Sequence, residues 1–88
     1  MRLDKYLKIS RLIKRRTVAA EAATGGRVTV NGRDSKPSTD VKVGDRLEIR
    51  FGARLIAVEV LSVDEKTRPA DAPAMYREIS AQAAEPTE

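Results

Sequence analysis

The chain has 88 residues, 41% of them hydrophobic and 34% charged, with 17 Lys and Arg against 13 Asp and Glu for a net charge of +4. That length sustains one small core, the composition is that of a globular domain, and no apolar run is long enough to span a membrane. Cysteine and histidine are both absent, which excludes a disulfide framework, a thiolate nucleophile and the usual ligand set for zinc.

Charge is concentrated at the start. Residues 1–17, MRLDKYLKISRLIKRRT, hold seven cations and a single carboxylate, Asp4, for a local charge of +6; residues 17–63 come to +1 and residues 64–88 to −3. On helical spacing Leu3, Tyr6, Leu7 and Ser10 fall on one side, and Lys5, Lys8 and Arg11 on the other. This predicts an amphipathic helix ending between Ser10 and Ile13. A turn through Lys14, Arg15 and Arg16 follows, where three adjacent cations repel unless an anion lies opposite. Clustering on one element points to a polyanionic partner, with Arg2, Lys5, Lys8, Arg11, Lys14, Arg15 and Arg16 as its contacts.

Thr17 is the expected N-cap of a second helix over residues 18–24, although Ala20 stands where a capping box would place Glu. Ala19, Ala20, Ala22 and Ala23 favour helix and permit close approach of helix to helix, and Gly25-Gly26 ends it. The period then changes. Val28 and Val30 alternate with Arg27 and Thr29, and Asn31-Gly32 signals a hairpin turn. Residues 33–40 contain Pro37 and read as an extended loop or weak edge strand displaying Lys36. After a turn at Val43-Gly44-Asp45, Leu47, Ile49 and Phe51 alternate with Arg46, Glu48 and Arg50, which places Phe51 on the core face of a half-buried strand. Gly52-Ala53 turns the chain into a strand over residues 54–63, apolar on both faces and therefore central. Residues 69–73 read as a linker, residues 74–84 as a terminal helix resting on Met75 and Ile79, and residues 83–88 as a disordered end.

Catalytic groups are scarce. Asp4 suits the first turn of a helix and its basic neighbours; Ser10 and Thr17 have no histidine to activate them and read as a packing residue and a cap. Gly25-Gly26 precedes a strand, so no phosphate loop is formed. The chain is therefore expected not to be an enzyme and to need no cofactor. Tyr6, Phe51 and Tyr76 are its only aromatics, and with Tyr6 and Phe51 assigned to the core, single-strand binding by stacking is disfavoured. Contact with the phosphates and sugars of a structured RNA remains. A module docking an acidic protein through its sheet edge or tail is the alternative from another class.

Four stretches in order, RLDKYL at residues 2–7, KRRTVA at 14–19, GRVTVNG at 26–32 and VGD at 43–45, resemble the S4 RNA-binding domain over residues 1–63. SRLIKRRT at 10–17, VKVGD at 41–45, RFG at 50–52 and Met75-Tyr76 narrow the resemblance to the stand-alone S4 proteins of bacterial ribosome-associated quality control. The resemblance implies an α+β, S4-like (alpha-L) fold, with two or three N-terminal helices on a small bent antiparallel sheet. Residues 64–88 would then be linker and tail. It implies contacts with rRNA or tRNA from Arg2, Lys5, Arg11, Lys14, Arg15, Arg16 and Thr17, with Asn31 and Lys36 at the periphery. The implied task is to bind obstructed large ribosomal subunits and stabilise their peptidyl-tRNA while an RqcH-type factor adds alanine without a template. The heat-shock S4 proteins that recognise blocked large subunits are the related alternative, expected to be longer with a basic extension. A cytoplasmic location is expected, because no secretory signal opens the sequence, and the protein is expected to be a monomer.

Overall fold

A computed structural model of the chain describes residues 1–83. Helix α1 spans Leu3–Ile9 and α2 spans Arg16–Thr24. Strands β1 (Val28–Val30), β2 (Arg33–Asp34), β3 (Arg46–Phe51), β4 (Arg54–Val60) and β5 (Tyr76–Ala83) make one antiparallel sheet in the order β2-β1-β3-β4-β5. A short 3-10 helix, Pro69–Met75, precedes β5. No helix among the described residues is long and apolar enough to cross a membrane.

One core lies between the two helices and one face of the sheet. Leu3, Tyr6 and Leu7 from α1, Ala19 and Ala23 from α2, Val28 from β1, Leu47 and Ile49 from β3, Val58 and Val60 from β4, and Met75 are all buried in it. The alternation in β3 places Leu47 and Ile49 inward, as period 2 requires. Asn31 and Gly32, at φ 53° and 81°, supply the two positive φ values that a tight hairpin turn between β1 and β2 demands. At seven residues α1 is too short to persist by helix propensity; packing against α2 and into the shared core holds it.

Several expectations are corrected. α2 begins at Arg16, with Arg15 as an N-cap that makes no side-chain capping bond. Thr17 is therefore an exposed first-turn residue, not the cap. Residues 69–73 are not a linker: the 3-10 helix buries Ala72 and Met75 completely or nearly so. Of the helix expected over residues 74–84, only Ala74 and Met75 are helical among the described residues, as the end of the 3-10 helix, and residues 76–83 are strand. β5 pairs along β4 from Val60↔Tyr76 to Arg54↔Ala83, with a register shift between Ala57 and Val58 that leaves Ile79 without an opposite residue. The Met75 and Ile79 spacing is compatible with a helical stripe, but β4 offers an open row of backbone donors and acceptors, and satisfying them decides the conformation. β4 is flanked by β3 and β5, as its two apolar faces suggested. The assignments of helix to Ala84 and disorder to residues 84–88 lie outside the described residues. Phe51 keeps the parity of Leu47 and Ile49 but sits at the strand end and is 38% exposed.

Candidate nucleic-acid interface

The N-terminus of α1 is anchored by the loop that follows β2. The backbone N–H of Leu3 donates to the Thr39 carbonyl at 2.8 Å and that of Asp4 to the Pro37 carbonyl at 3.1 Å, while Arg2 forms an isolated bridge with Asp40. The Lys5 N–H donates to Asp4 Oδ1 at 2.7 Å. The first donors of the helix are thus satisfied internally, which leaves its side chains as the groups open to an external ligand.

Asp4 is the hub of those side chains. It is 5% exposed, and both its oxygens receive arginine. Arg2 Nε lies 3.2 Å from Oδ1 and Nη2 3.4 Å from Oδ2; Arg16 Nη2 lies 3.5 Å from Oδ1 and Nε 3.4 Å from Oδ2. Burial pushes the Asp4 carboxyl upward, but the hydrogen bonds from Arg2, Arg16 and the Lys5 N–H together outweigh it and hold the carboxyl below its ordinary value. The side chains of Arg2 and Arg16 remain 54% and 47% exposed. Each guanidinium carries five N–H donors, so each retains outward donors while its position is fixed from behind. One carboxylate thereby holds two cations side by side, from the start of α1 and the start of α2, against their mutual repulsion.

The other sequence candidates divide. Lys8, Arg11, Lys14 and Arg15 are exposed and enter no ion pair among the described residues. Lys36 is exposed on the α1-anchoring loop and lines one groove with Arg2 and Thr24. Lys5 is tied to Glu65 in an ion pair. The Asn31 side chain is occupied at both ends, donating from Nδ2 to Asp45 Oδ1 at 3.1 Å and accepting the Arg46 N–H on Oδ1 at 2.9 Å. It braces the β1–β2 turn to the start of β3.

Residues 1–47 match the family model described as the S4 domain. The chain belongs to the S4 domain family. The chain is 59% identical over 80 residues to the RQC P-site tRNA stabilizing factor of Streptococcus pneumoniae, covering 91% of each chain. It is 53% identical over 76 residues to the factor of the same name from Bacillus subtilis, covering 86% of this chain and 88% of that one. Among solved structures, the trimeric structure of Vibrio cholerae Heat Shock Protein 15 matches with a TM-score of 0.83 and 33% identity, over 91% of this chain and 82% of the other.

Within the S4 domain, sequence reading placed Asp4 in a basic neighbourhood but missed that it gathers Arg2 and Arg16. The separation of 12 residues between Asp4 and Arg16 has no local signature. Also missed was the anchoring of α1 to the segment beyond residue 63. The buried Tyr6 hydroxyl donates to the Met75 carbonyl at 2.8 Å, and burial, with a smaller contribution from Tyr76, raises its pKa. An uncapped tyrosine hydroxyl in a predicted core demands such a partner, which is the one signal available.

Proposed function

We propose that the chain is a non-catalytic RNA-binding factor that holds rRNA and tRNA on obstructed large ribosomal subunits and stabilises peptidyl-tRNA during ribosome-associated quality control. The observation that carries this reading is the Asp4-centred pair of Arg2 and Arg16, with Lys8, Arg11, Lys14 and Arg15 exposed and outside any ion pair among the described residues. Their guanidinium and ammonium groups suit phosphate oxygens, and the likeness to the Streptococcus pneumoniae and Bacillus subtilis factors supports tRNA as one ligand. Thr17 follows Arg16 in the first turn of α2, and Lys36 lines one groove together with Arg2.

Action by holding requires no nucleophile, general base or metal. Arg2 and Arg16, fixed before binding, lose little freedom on engaging phosphate, so binding releases counterions at a small ordering cost. Peptide transfer then belongs to the ribosome, and template-free alanine addition to the RqcH-type factor working beside it in the cytoplasm.

Replacing both Arg2 and Arg16 by Glu is expected to abolish co-sedimentation with large ribosomal subunits, and undiminished co-sedimentation would refute the reading. The Heat Shock Protein 15 likeness favours a second reading, recognition of blocked large subunits without a part in tailing. Cells lacking the protein separate the two: loss of alanine tails on stalled chains supports the first, intact tails the second. The protein is taken to act as a monomer, and light scattering checks this against the trimeric state of the Vibrio cholerae protein.

A further inference from the structure

Beside the basic turn lies an apolar cavity of about 240 Å³. Ile13, from the turn between the helices, and Val18 and Ala22 of α2 line one side and Phe51 of β3 the other; Arg27 and Arg50 also line it, with the Arg50 side chain on the strand parity opposite to Phe51. Scattered exposed apolar residues need no explanation, but here Phe51 and Val18, 38% and 45% exposed, share one cavity whose lining holds two arginines and no carboxylate. Arg54 stands directly across from Phe51 in the β3–β4 pairing, and residues so opposed project from the same face. The Arg54 cation therefore lies on the same face of the sheet as the ring. Ile13 and Val18 bracket residues 14–17, so the cavity opens where the exposed Lys14, Arg15 and Arg16 end. Its volume falls below that of pockets for drug-sized ligands and suits one flat ring.

We propose that this cavity receives a single unstacked base of the RNA held by the basic turn, with the base lying on the Phe51 ring and Arg27 and Arg54 facing its flanking phosphates. The proposal rests on the RNA-binding reading above. A nucleotide presents a flat apolar ring and a phosphate within one residue, which matches an aromatic ring rimmed by arginine. A peptide would need an apolar side chain and separate acidic groups placed to the same spacing. The stacking surface that parity arguments assign to the core is thus available at the strand end.

The test uses the full chain at low salt with two hairpin RNAs of identical stem, one fully paired and one carrying a single bulged 2-aminopurine. The wild type is expected to bind the bulged RNA on the order of tenfold more tightly, with a change in 2-aminopurine fluorescence. Phe51→Leu should lose both the preference and the fluorescence change while keeping its melting temperature and its affinity for the paired hairpin; Phe51→Tyr should retain both. Equal binding of the bulged RNA by wild type and Phe51→Leu overturns the proposal. So does a wild-type dimer in analytical ultracentrifugation that Phe51→Leu dissolves, which would assign the cavity to a second copy of the chain. Failure of the wild type to bind either hairpin instead refutes the RNA-binding reading itself, a result distinct from equal binding of the two.

Discussion

Asp4 is the residue at which charge arithmetic and geometry disagree. Removing its negative charge makes the chain more basic, so net charge alone predicts tighter binding to RNA. The geometry predicts the reverse, because Arg2 and Arg16 lose the carboxylate that positions them. Asp4→Asn is expected to weaken large-subunit binding in a salt titration and to cost about 1.5–3 kcal/mol of stability, the range for a hydrogen bond to a charged group. The stability difference has a defined pH dependence. The Asp4 carboxyl lies below its ordinary value of 3.8 in the folded chain, so the stabilisation is complete above that value and disappears as the pH falls through the depressed one. Melting temperatures of wild type and Asp4→Asn should therefore converge in acid. Arg11 poses a different trade. It holds φ 65° just past the end of α1, a left-handed position where glycine is usual and a Cβ is strained. Arg11→Gly is expected to stabilise the fold by about 0.5–1 kcal/mol while lowering RNA affinity severalfold, read by thermal melts and fluorescence anisotropy. A cation kept at a strained position is what a binding surface, rather than a folding requirement, would preserve.

At the scale of elements, the two ends of the described chain depend on each other. The Met75 carbonyl accepts from the Tyr6 hydroxyl at 2.8 Å and from the backbone N–H groups of Leu61 at 2.8 Å and Ser62 at 3.2 Å. Lys5 is joined to Glu65. α1 is therefore clamped between the loop at residues 37–41 and the 3-10 helix, and the cations it displays are only as ordered as those supports. A chain shortened to residues 1–63 loses Ala72, Met75 and the whole of β5. Emptying the Met75 site alone costs about 2–5 kcal/mol, a large share of the roughly 5–15 kcal/mol that stabilises a domain. The shortened chain is expected to melt without a cooperative transition by circular dichroism, even though it retains every cation of the first helix and turn. A sharp transition at the full-length temperature would contradict the clamp.

Across the whole molecule, charge is segregated: the basic surface comes from the first 17 residues, and the acidic excess from the last 25. Lys8, Arg11, Lys14 and Arg15, exposed and without an ion pair among the described residues, together with the Asp4-bound arginines, are expected to make affinity strongly dependent on ionic strength. If about four to six phosphates are engaged, log affinity against log salt should fall with a slope on the order of −4 to −5. The Arg2→Glu and Arg16→Glu double variant should flatten it. A slope near zero would mean that phosphate contact does not drive association. The exposed ion pair between Arg77 and Glu59 is expected to add little to stability, and binding should be insensitive to its removal.

The α1 face, the α2 alanines, the Asn31-Gly32 hairpin and the alternation of β3 were all readable from the residues, because each is a local pattern of period or turn chemistry within a few positions. The concentration of cations before Thr17 was equally plain. Three things were settled only by packing. Residues 76–83 became a strand because the edge of β4 needed backbone partners, which outweighed a weak helical spacing. Phe51 left the core because strand parity assigns a face but not how far a covering helix reaches along it. Arg2 and Arg16 became neighbours because a buried carboxylate 12 residues away from one of them gained two guanidinium partners, and no spacing rule encodes a contact that exists only once α1 and α2 are packed together.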